Sequence, residues 1–297
     1  MPKAQPCYIG RFAPSPSGPL HFGSLIAAVG SYLQAKSQHG QWLVRMEDID
    51  TPRMVPGADS DILRTLEQFG LHWDGVVLYQ SQRLERYQQI LQQLKAQQLI
   101  YGCQCSRKQI SSLGGLYDNR CAQAQLTTEP LAWRLRSSNV STDFTDLVFG
   151  QQQIAASLAQ EDYIVRRRDG LFAYQLVVVV DDIDQAVTQV IRGADLLQMT
   201  PRQQALCQLL GAAAPQYGHL PLAVTKPGFK LSKQNHAAAI AQWPAAAILS
   251  RVLGFLNHMP PTELQQAPVT EQLNWASSQW QLNKVPAQLE ILSTEFR

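Results

Sequence analysis

Two distant segments of the sequence combine glycine with cationic or polar side chains. The first runs from Arg11 to Ser24 and includes Gly18, His21 and Gly23, and the second runs from Gly228 to Lys233. A loop that enters a helix offers unpaired backbone N–H groups and the positive end of the helix dipole, which favour phosphate. Lysines at the second segment can stabilise charge that develops on a phosphate. We interpret the two segments as halves of a split ATP site.

Within these segments, individual residues have distinct expected roles. His21 and Ser24 are three positions apart, so they share one face of a helical turn and can both contact a nucleotide. Gly23 lets a base or ribose approach the backbone, and Lys230 and Lys233 act by electrostatics rather than by proton transfer. We therefore predict His21, Lys230 and Lys233 as catalytic, with ATP bound by His21, Gly23, Ser24 and Lys233. The competing interpretation of His21 is structural, because a histidine at a helix start usually has a structural role.

Three of the five cysteines, Cys103, Cys105 and Cys121, lie in one short stretch. Three thiolates suit tetrahedral zinc and leave one ligand position open. No histidine lies nearby, so the fourth ligand is Tyr117, Asp118, another oxygen or water. No general base is near either, which favours one structural Zn²⁺ over a catalytic one. The alternative is three reduced surface cysteines, which would not explain the clustering.

The elements that must position these residues begin with a strand, a loop and a helix. Apolar periodicity and turn residues predict, in order, a strand at Cys7–Phe12, a helix carrying Leu25, Val29 and Leu33 and entered near Gly18-Pro19, a strand at Trp42–Met46, and helices at Asp59–Phe69 and Gln82–Gln98. The second strand runs into the acidic Glu47 to Asp50. We attribute Asp48 and Asp50, and likewise the later Asp181 and Asp182, to capping and solvation at strand ends, not to metal sites.

The rest of the chain is less regular before it returns to a clear pattern. Residues 101–161 hold the cysteines and short pieces such as Ala132–Leu135, and we interpret them as an inserted module. The apolar run Leu171–Val180, ended by Asp181 and Asp182, predicts a parallel strand buried on both faces. Later segments predict a strand at Val187–Ile191, a helix at Thr200–Leu210, and a helical end with Ile248, Val252 and Leu256. The predicted domains are a split catalytic domain (1–100 and 162–236), the inserted module (101–161) and a small helical domain (237–297).

Composition sets limits on the class of protein. The net charge of +2 and the pI near 8.3 are too small to indicate nucleic-acid binding from bulk charge. An RNA partner would have to meet a local patch, of which Arg166 to Arg168 is the clearest, although adjacent arginines are more often a solvated edge. No secretory signal and no apolar run of membrane length is visible, so we expect a soluble cytoplasmic protein with reduced cysteines.

Taken together, the two segments at Arg11–Ser24 and Gly228–Lys233 resemble the signature sequences of class I aminoacyl-tRNA synthetases, His-x-Gly-His and Lys-x-Ser-Lys. Three further blocks, Arg11–Gly18, Arg45–Asp50 and Val190–Asp195, resemble the glutamate-specific branch of that family. The resemblance extends over about residues 8 to 236 and implies an α/β fold with a Rossmann-like parallel sheet. Two departures are Ser24 in place of the second histidine, and Leu231 with Gln234 in the second signature.

Glutamate presents two carboxylates and an ammonium, so its pocket needs at least two arginines and one acid. Arg11, Arg192 and Glu47 supply these, one from each block. The resemblance implies glutamate binding by Arg11, Phe12, Ala13, Pro14, Ser15, Glu47, Tyr174 and Arg192, and zinc ligation by Cys103, Cys105, Tyr117 and Cys121. Without the resemblance, Glu47 would be interpreted as an exposed strand-end acid and Tyr174 as a core aromatic.

The chain ends at residue 297, and after Lys233 we expect only a small helical domain and no anticodon-binding domain. The resemblance then implies a truncated paralogue that activates L-glutamate with ATP and Mg²⁺ without tRNA. The glutamyl group would pass to queuosine in the anticodon of tRNA(Asp), and we expect a monomer. Two alternatives are a synthetase fragment that charges tRNA(Glu) and an inactive RNA-binding paralogue. The presence of Arg11, His21, Glu47, Arg192 and Lys233 argues against the inactive paralogue.

Overall fold

The computed structural model describes residues 8–112, 114–124, 126–137, 139–230 and 240–293, with the backbone alone at positions 230 and 241. The strands in these ranges are β1 Ile9–Phe12, β2 Gln41–Met46, β3 Leu78–Tyr79, β4 Ile100–Cys103, β5 Ala132–Leu135, β6 Asp143–Asp146, β7 Gly150–Gln153, β8 Tyr163–Arg166, β9 Gln189–Gly193, β10 Gln216–Leu220, β11 Leu222–Lys226, β12 Phe229–Lys230 and β13 Glu290–Leu292. The helices are α1 Phe22–Ser37, α2 Ala58–Gln68, α3 Leu84–Ala96, α4 Arg107–Ser111, α5 Ala156–Ala159, α6 Tyr174–Asp184, α7 Thr200–Leu209, α8 Ala245–Phe255 and α9 Val269–Gln279.

Parallel strands form the centre of the molecule. β1 pairs with β2 and β2 with β3, while β9 pairs with β10, all in parallel. The backbone N–H of Thr188, just before β9, donates to the carbonyl of Ile9 at 2.9 Å, so β9 lies beside β1. The strands therefore follow the order β3, β2, β1, β9, β10. Ligands of such sheets bind outside the carboxyl ends of the strands, which here are the ends near Phe12, Met46 and Gly193.

Helix α1 packs on this sheet through the predicted apolar face. Leu25, Val29 and Leu33 are fully buried, as the periodicity of the sequence predicts. Gly30 allows close contact with β10, because a Cβ at this position would lie 2.5 Å from Cδ1 of Leu220. The C-terminal helices α8 and α9 belong to the same hydrophobic core. Among the described residues, none of the helices is both long enough and apolar enough to span a membrane.

The apolar run at Leu171–Val180 was predicted as a buried strand, and this prediction is wrong. The run forms helix α6, which begins at Tyr174 and is buried on every face from Leu176 to Val180. It belongs to a core cluster with side chains of α3, including Tyr87 and Leu91. A helix buried all round has no polar face, so its sequence lacks the helical period that distinguishes it from a buried strand.

The segment predicted as an inserted module divides between two sheets. β4, β5 and β8 form an antiparallel sheet of their own. The hairpin β6–β7, in contrast, joins the parallel sheet, because Asp146 of β6 pairs with Tyr217 of β10. Part of this segment therefore extends the central sheet and comes within reach of the carboxyl ends of its strands.

Candidate active site

A cavity of about 650 Å³ opens at the carboxyl ends of β1, β2 and β9. Of the residues predicted from the sequence, Arg11, Phe12, Ala13, Pro14, Ser15, His21, Gly23, Ser24, Glu47, Tyr174 and Arg192 all line it. Other residues also line it that were not assigned to the site from the sequence, among them Ser17, Arg53, Asp195 and the stretch from Leu220 to Ala223. The loop after β1, the end of β2, the start of α6 and the end of β9 thus meet around one space.

His21 is the N-cap of α1, so the helix begins later than the predicted entry at Gly18-Pro19. The His21 Nδ1 accepts a hydrogen bond from the backbone N–H of Ser24 at 3.2 Å. In return, the Ser24 hydroxyl accepts from the backbone N–H of His21 at 2.8 Å, which completes a capping box. Both side chains line the cavity, and the pair fixes the direction in which the first turn of the helix presents its N–H groups.

Arg11 and Arg45 share one buried carboxylate. Arg11 donates from Nε and Nη2 to the two oxygens of Asp182, at 3.1 and 3.3 Å, and Arg45 Nη2 donates to the same carboxylate at 2.8 Å. The two arginines hold the pKa of Asp182 below its ordinary value despite its burial. Arg45 also lies 3.8 Å from carboxylate oxygens of Asp181 and Glu47, so the two arginines and three acids form one buried charge network.

Asp181, the preceding residue of α6, accepts hydrogen bonds from a second set of groups. Gln80 Nε2, Arg83 Nε and the Tyr87 hydroxyl donate to it at 2.7 to 3.0 Å. The interpretation of Asp181 and Asp182 as solvated strand-end acids is therefore wrong. Both are almost fully buried, and together they anchor α6 to the wall of the cavity. Sequence reasoning missed these partners, since acids in a helix and an arginine in β2 carry no local signal for one another.

Glu47 lies at the end of β2, and its backbone N–H donates to the carbonyl of Pro14 at 2.9 Å. Its side chain is only 9% exposed, and its closest cation is Arg45 Nη2, 3.8 Å from Oε1. Burial raises the pKa of Glu47 to about 7, although Arg45 and Arg11 partly oppose the change. The alternative interpretation of Glu47 as an exposed strand-end acid, which applied only without the resemblance, is thus wrong. A buried carboxyl at a cavity wall is suited to receive an ammonium group.

Arg192, in β9, reaches the cavity from the opposite side, and uncharged groups hold its guanidinium. Nε donates to His219 Nε2 at 3.0 Å and Nη1 to Gln203 Oε1 at 2.6 Å. Nη2 donates to the hydroxyl of Thr200 at 3.1 Å and to the carbonyl of Leu196 at 3.2 Å. The side chain is buried, and its orientation is fixed before any ligand arrives.

The second lysine segment is only partly described. Lys230 ends β12, which pairs with β11, so that its backbone lies opposite Val224. Gly228, in the turn between the two strands, has φ of 76° and lines the cavity. The hairpin therefore brings the chain to the mouth of the cavity just before the predicted lysines. The side chain of Lys230 and the whole of Lys233 lie outside the described residues.

The three predicted cysteine ligands converge. The sulfurs of Cys103, Cys105 and Cys121 all lie within 4.8 Å of one another, with Cys105 and Cys121 at 3.6 Å. Ligand sulfurs around tetrahedral zinc are separated by about 3.8 Å, as follows from a Zn–S bond of about 2.3 Å. The donor set therefore fits one metal ion, and no disulfide joins cysteines in the described ranges.

Of the open alternatives for a fourth ligand, Tyr117 is next to the thiols and Asp118 is turned away. The Tyr117 hydroxyl oxygen accepts a hydrogen bond from the backbone N–H of Cys121 at 3.0 Å. Asp118 is exposed and pairs with Arg120 at 2.8 Å. Arg134 Nε donates to Cys103 Sγ at 3.3 Å, and its guanidinium lies 3.6 Å from the centre of the Tyr117 ring.

The arginines proposed as an RNA patch lie next to the cysteine cluster. Arg167 and Arg168 line a second cavity, of about 530 Å³, which Cys105 also lines. Arg167 pairs with Asp50 at 3.3 Å, and Arg168 donates to the carbonyl of Gln104. Each therefore has a partner within the chain, and a role in phosphate contacts stays a prediction.

Comparison with known proteins gives one consistent result. Residues 9–246 match the family described as tRNA synthetases class I (E and Q), catalytic domain. The glutamyl-Q tRNA(Asp) synthetase of Vibrio vulnificus (strain CMCP6) is 56% identical over 285 residues, which cover 96% of this chain and 93% of the relative. The protein of the same name from Pectobacterium atrosepticum is 52% identical, over 97% of this chain and 90% of the relative.

Solved structures show the same fold at lower sequence identity. The glutamate-tRNA synthetase of Elizabethkingia anophelis superposes with a TM-score of 0.80 at 22% identity, covering 98% of this chain and 68% of that one. A glutamate tRNA ligase of Elizabethkingia meningosepticum, solved with its amino acid, superposes with a TM-score of 0.77 at 23% identity. The match covers 94% of this chain and 66% of that one. These likenesses establish the α/β fold of class I synthetases for this chain.

Proposed function

The chain belongs to the class I tRNA synthetases of the glutamate and glutamine type, and we propose that it activates L-glutamate with ATP and transfers the glutamyl group to queuosine in tRNA(Asp). It is an enzyme of the ligase class, as its family and its curated relatives are. The choice of acceptor follows from the name of those relatives, which match nearly the whole chain. The choice of amino acid also has support from the cavity.

The observation that carries the proposal is the set of charges around the cavity. One buried acid, Glu47, and two buried arginines, Arg11 and Arg192, line it. This is the minimum that the ammonium and two carboxylates of glutamate require. Glutamine would leave one arginine facing a neutral amide, and a buried charge without a partner is unfavourable. The pocket therefore favours glutamate over glutamine through charge.

In the activation step, a carboxylate oxygen of glutamate attacks the α-phosphorus of ATP. The bond to the bridging oxygen of pyrophosphate breaks, giving glutamyl-adenylate and pyrophosphate. The N-terminus of α1, held by the His21 and Ser24 capping box, offers its N–H groups and dipole to the phosphate. Lys233 and Lys230 act on the phosphates by electrostatics, and Mg²⁺ bound with ATP would neutralise part of the phosphate charge. Positioning supplies most of the acceleration.

In the transfer step, a hydroxyl of the queuosine cyclopentenediol attacks the carbonyl carbon of the adenylate. A C–O ester bond forms, AMP leaves with the electrons of the mixed anhydride bond, and the hydroxyl proton is released. This step requires tRNA, whereas activation does not. The patch from Arg166 to Arg168 is proposed to contact RNA phosphates, which is the electrostatic contribution expected of arginines beside nucleic acid.

We also propose that Cys103, Cys105, Tyr117 and Cys121 hold one structural Zn²⁺. The support is the convergence of three sulfurs and one phenol oxygen, with Arg134 beside them. The ion would fix the loop after β4 against the β4–β5–β8 sheet. Structural zinc of this kind contributes directly to folding, so its removal should lower thermal stability even in an assay that measures no activity.

The test of the function is glutamate-dependent ATP–pyrophosphate exchange in the absence of tRNA, followed by transfer of labelled glutamate to three RNAs. We expect exchange with glutamate alone and transfer to tRNA(Asp) that contains queuosine. We expect no transfer to queuosine-free tRNA(Asp). Exchange that requires tRNA, together with charging of tRNA(Glu), would identify a conventional synthetase fragment instead. No exchange under either condition would identify an RNA-binding paralogue.

A further inference from the structure

Behind Arg192, a chain of buried side chains crosses three strands. Arg192 Nε, in β9, donates to His219 Nε2, in β10, at 3.0 Å. His219 Nδ1 and Asp146 Oδ2, at the end of β6, are 2.6 Å apart. The exposures of the three side chains are 5%, 0% and 2%. Asp146 comes from the segment that the sequence suggested was an insertion, and it does not line the cavity.

Chemistry determines the direction of each hydrogen bond between Arg192, His219 and Asp146. A guanidinium only donates, so His219 Nε2 must carry the lone pair that accepts from Arg192. The proton of a neutral imidazole is then on Nδ1, which donates to the Asp146 carboxylate. Burial lowers the pKa of His219, which favours the neutral ring. The second Asp146 oxygen, Oδ1, accepts from the backbone N–H groups of Val148, Phe149 and His219 at 2.9 to 3.3 Å.

This arrangement orients Arg192 without neutralising it. In the part of the chain that the structure describes, Arg192 forms no ion pair with a carboxylate within 4.0 Å, in contrast to Arg11, which is paired with Asp182. Its partners are an imidazole, an amide, a hydroxyl and a carbonyl. The carboxylate of Asp146 contacts Arg192 only through the histidine ring. Arg192 thus keeps its positive charge for a ligand in the cavity.

We propose that Asp146 and His219 are positioning residues that hold Arg192 as the receptor for a substrate carboxylate, by fixing His219 in its Nδ1-protonated tautomer. The inference rests on the proposed function for the identity of the carboxylate, which is one of the two on glutamate. It also assigns a role to the β6–β7 hairpin. Through Asp146, this hairpin sets the geometry of the amino-acid pocket.

The variant Asp146→Asn separates this role from a general loss of packing. All three backbone N–H groups bind Oδ1, which asparagine retains, and only the bond from Oδ2 to His219 changes. An amide NH₂ at that position opposes the Nδ1–H of His219. The imidazole then favours the other tautomer, which places an N–H against the Nε–H of Arg192. Replacing Oδ2 of Asp146 by an NH₂ group should therefore loosen Arg192, although His219 lies between the two side chains.

Two variants of His219 complete the series. His219→Gln keeps an oxygen that can accept from Arg192 and an NH₂ that can donate to Asp146, so it should restore the link. His219→Leu removes both. As a matched control, Asp162→Asn alters another buried carboxylate, which directly precedes β8. Asp162 binds the Tyr101 hydroxyl and the backbone of Ser137, and it does not line the cavity.

The experiment is tRNA-independent ATP–pyrophosphate exchange, with KM measured separately for glutamate and ATP and with thermal melting of each variant. We expect Asp146→Asn and His219→Leu to raise the KM for glutamate about tenfold, the usual effect of one weakened charged hydrogen bond. The KM for ATP should stay within about twofold, and His219→Gln and Asp162→Asn should resemble the wild type. An unchanged glutamate KM in Asp146→Asn would overturn the proposal. Equal increases in the KM for glutamate and in the KM for ATP, together with a lower melting temperature, would also overturn the proposal, because they indicate a structural role.

Nitrogen NMR of His219 tests the positioning without any substrate. The wild type should show Nδ1 protonated and Nε2 bare at neutral pH, with a slowly exchanging Arg192 Nε–H. Asp146→Asn should change both signals. A wild-type ring protonated on Nε2 would refute the positioning role. If the wild type shows the expected tautomer but no glutamate-dependent exchange, the proposed function fails and the positioning of Arg192 stands.

Discussion

Replacing Glu47 by glutamine is expected to stabilise the protein at pH 8 and to remove its affinity for glutamate. Glu47 is buried at the cavity wall, and its closest cation is 3.8 Å away. The side chain is placed to meet an ammonium, and without one its charge is poorly compensated. A glutamine of the same size keeps the packing and removes the charge.

The magnitude follows from the pKa of Glu47, which burial raises from an ordinary value near 4.5 to about 7. A tenfold change in proton affinity corresponds to about 1.4 kcal/mol, so ionised Glu47 lowers the free energy of unfolding by on the order of 3 kcal/mol. The sign is that of an acid whose pKa is raised on folding. The protonated form fits the folded protein, and stability falls as the pH rises from below 4.5 through 7. At pH 5, ionisation of Glu47 lowers the free energy of unfolding by less than about 1 kcal/mol.

The measurement is differential scanning calorimetry of the wild type and of Glu47→Gln, at pH 5 and at pH 8. We expect the variant to melt roughly 5 °C higher at pH 8 and nearly together with the wild type at pH 5. Glu67→Gln, which removes a charge from the exposed face of α2, serves as the control and should show no such dependence on pH. Added glutamate should raise the melting temperature of the wild type alone, because its ammonium compensates Glu47.

Two results would refute this reasoning. If Glu47→Gln melts lower than the wild type by the same amount at both pH values, the carboxylate is a structural partner of the arginines and not a receptor for an ammonium. If the variant retains the stabilisation by glutamate, another group binds the ammonium.

Four further changes test other parts of the site. Lys233→Ala should lower ATP–pyrophosphate exchange about tenfold or more, and unchanged exchange would contradict its role on the phosphates. Elemental analysis should find about one zinc per chain in the wild type. The variant Cys103→Ala should lose this zinc, whereas Cys207→Ala, at a buried cysteine outside the cluster, should retain it. A metal-free wild type would exclude the site. Asp182→Asn leaves Arg11 and Arg45 without their shared counter-charge. It should lower the free energy of unfolding, measured by calorimetry, by about 3 kcal/mol. An unchanged melting temperature would show that this network contributes nothing to stability. Arg168→Glu should slow transfer to tRNA(Asp) and leave exchange unchanged, and transfer at the wild-type rate would exclude the arginine patch from RNA binding.

Much of the central fold could be predicted because its signals are local. The strand that contains Arg11, the helix after His21 and the strand before Glu47 each follow from apolar spacing and turn residues. The cysteine cluster could be predicted for the same reason, since its members lie close together in the sequence. The helix α6 could not, because a segment buried on all sides has no polar face to reveal its period.

The sequence by itself determined which chemistry is available: a phosphate-binding helix start, late lysines, a thiol cluster, and the arginines and acid that suit glutamate. Only the tertiary structure decided how these groups are charged and held. Asp182 lies between Arg11 and Arg45, Glu47 is desolvated, and Asp146 reaches Arg192 through His219. Each of these contacts joins residues from different elements, often more than a hundred positions apart. Their energies depend on distance and burial, which the packing of α6 and the β6–β7 hairpin on the sheet creates.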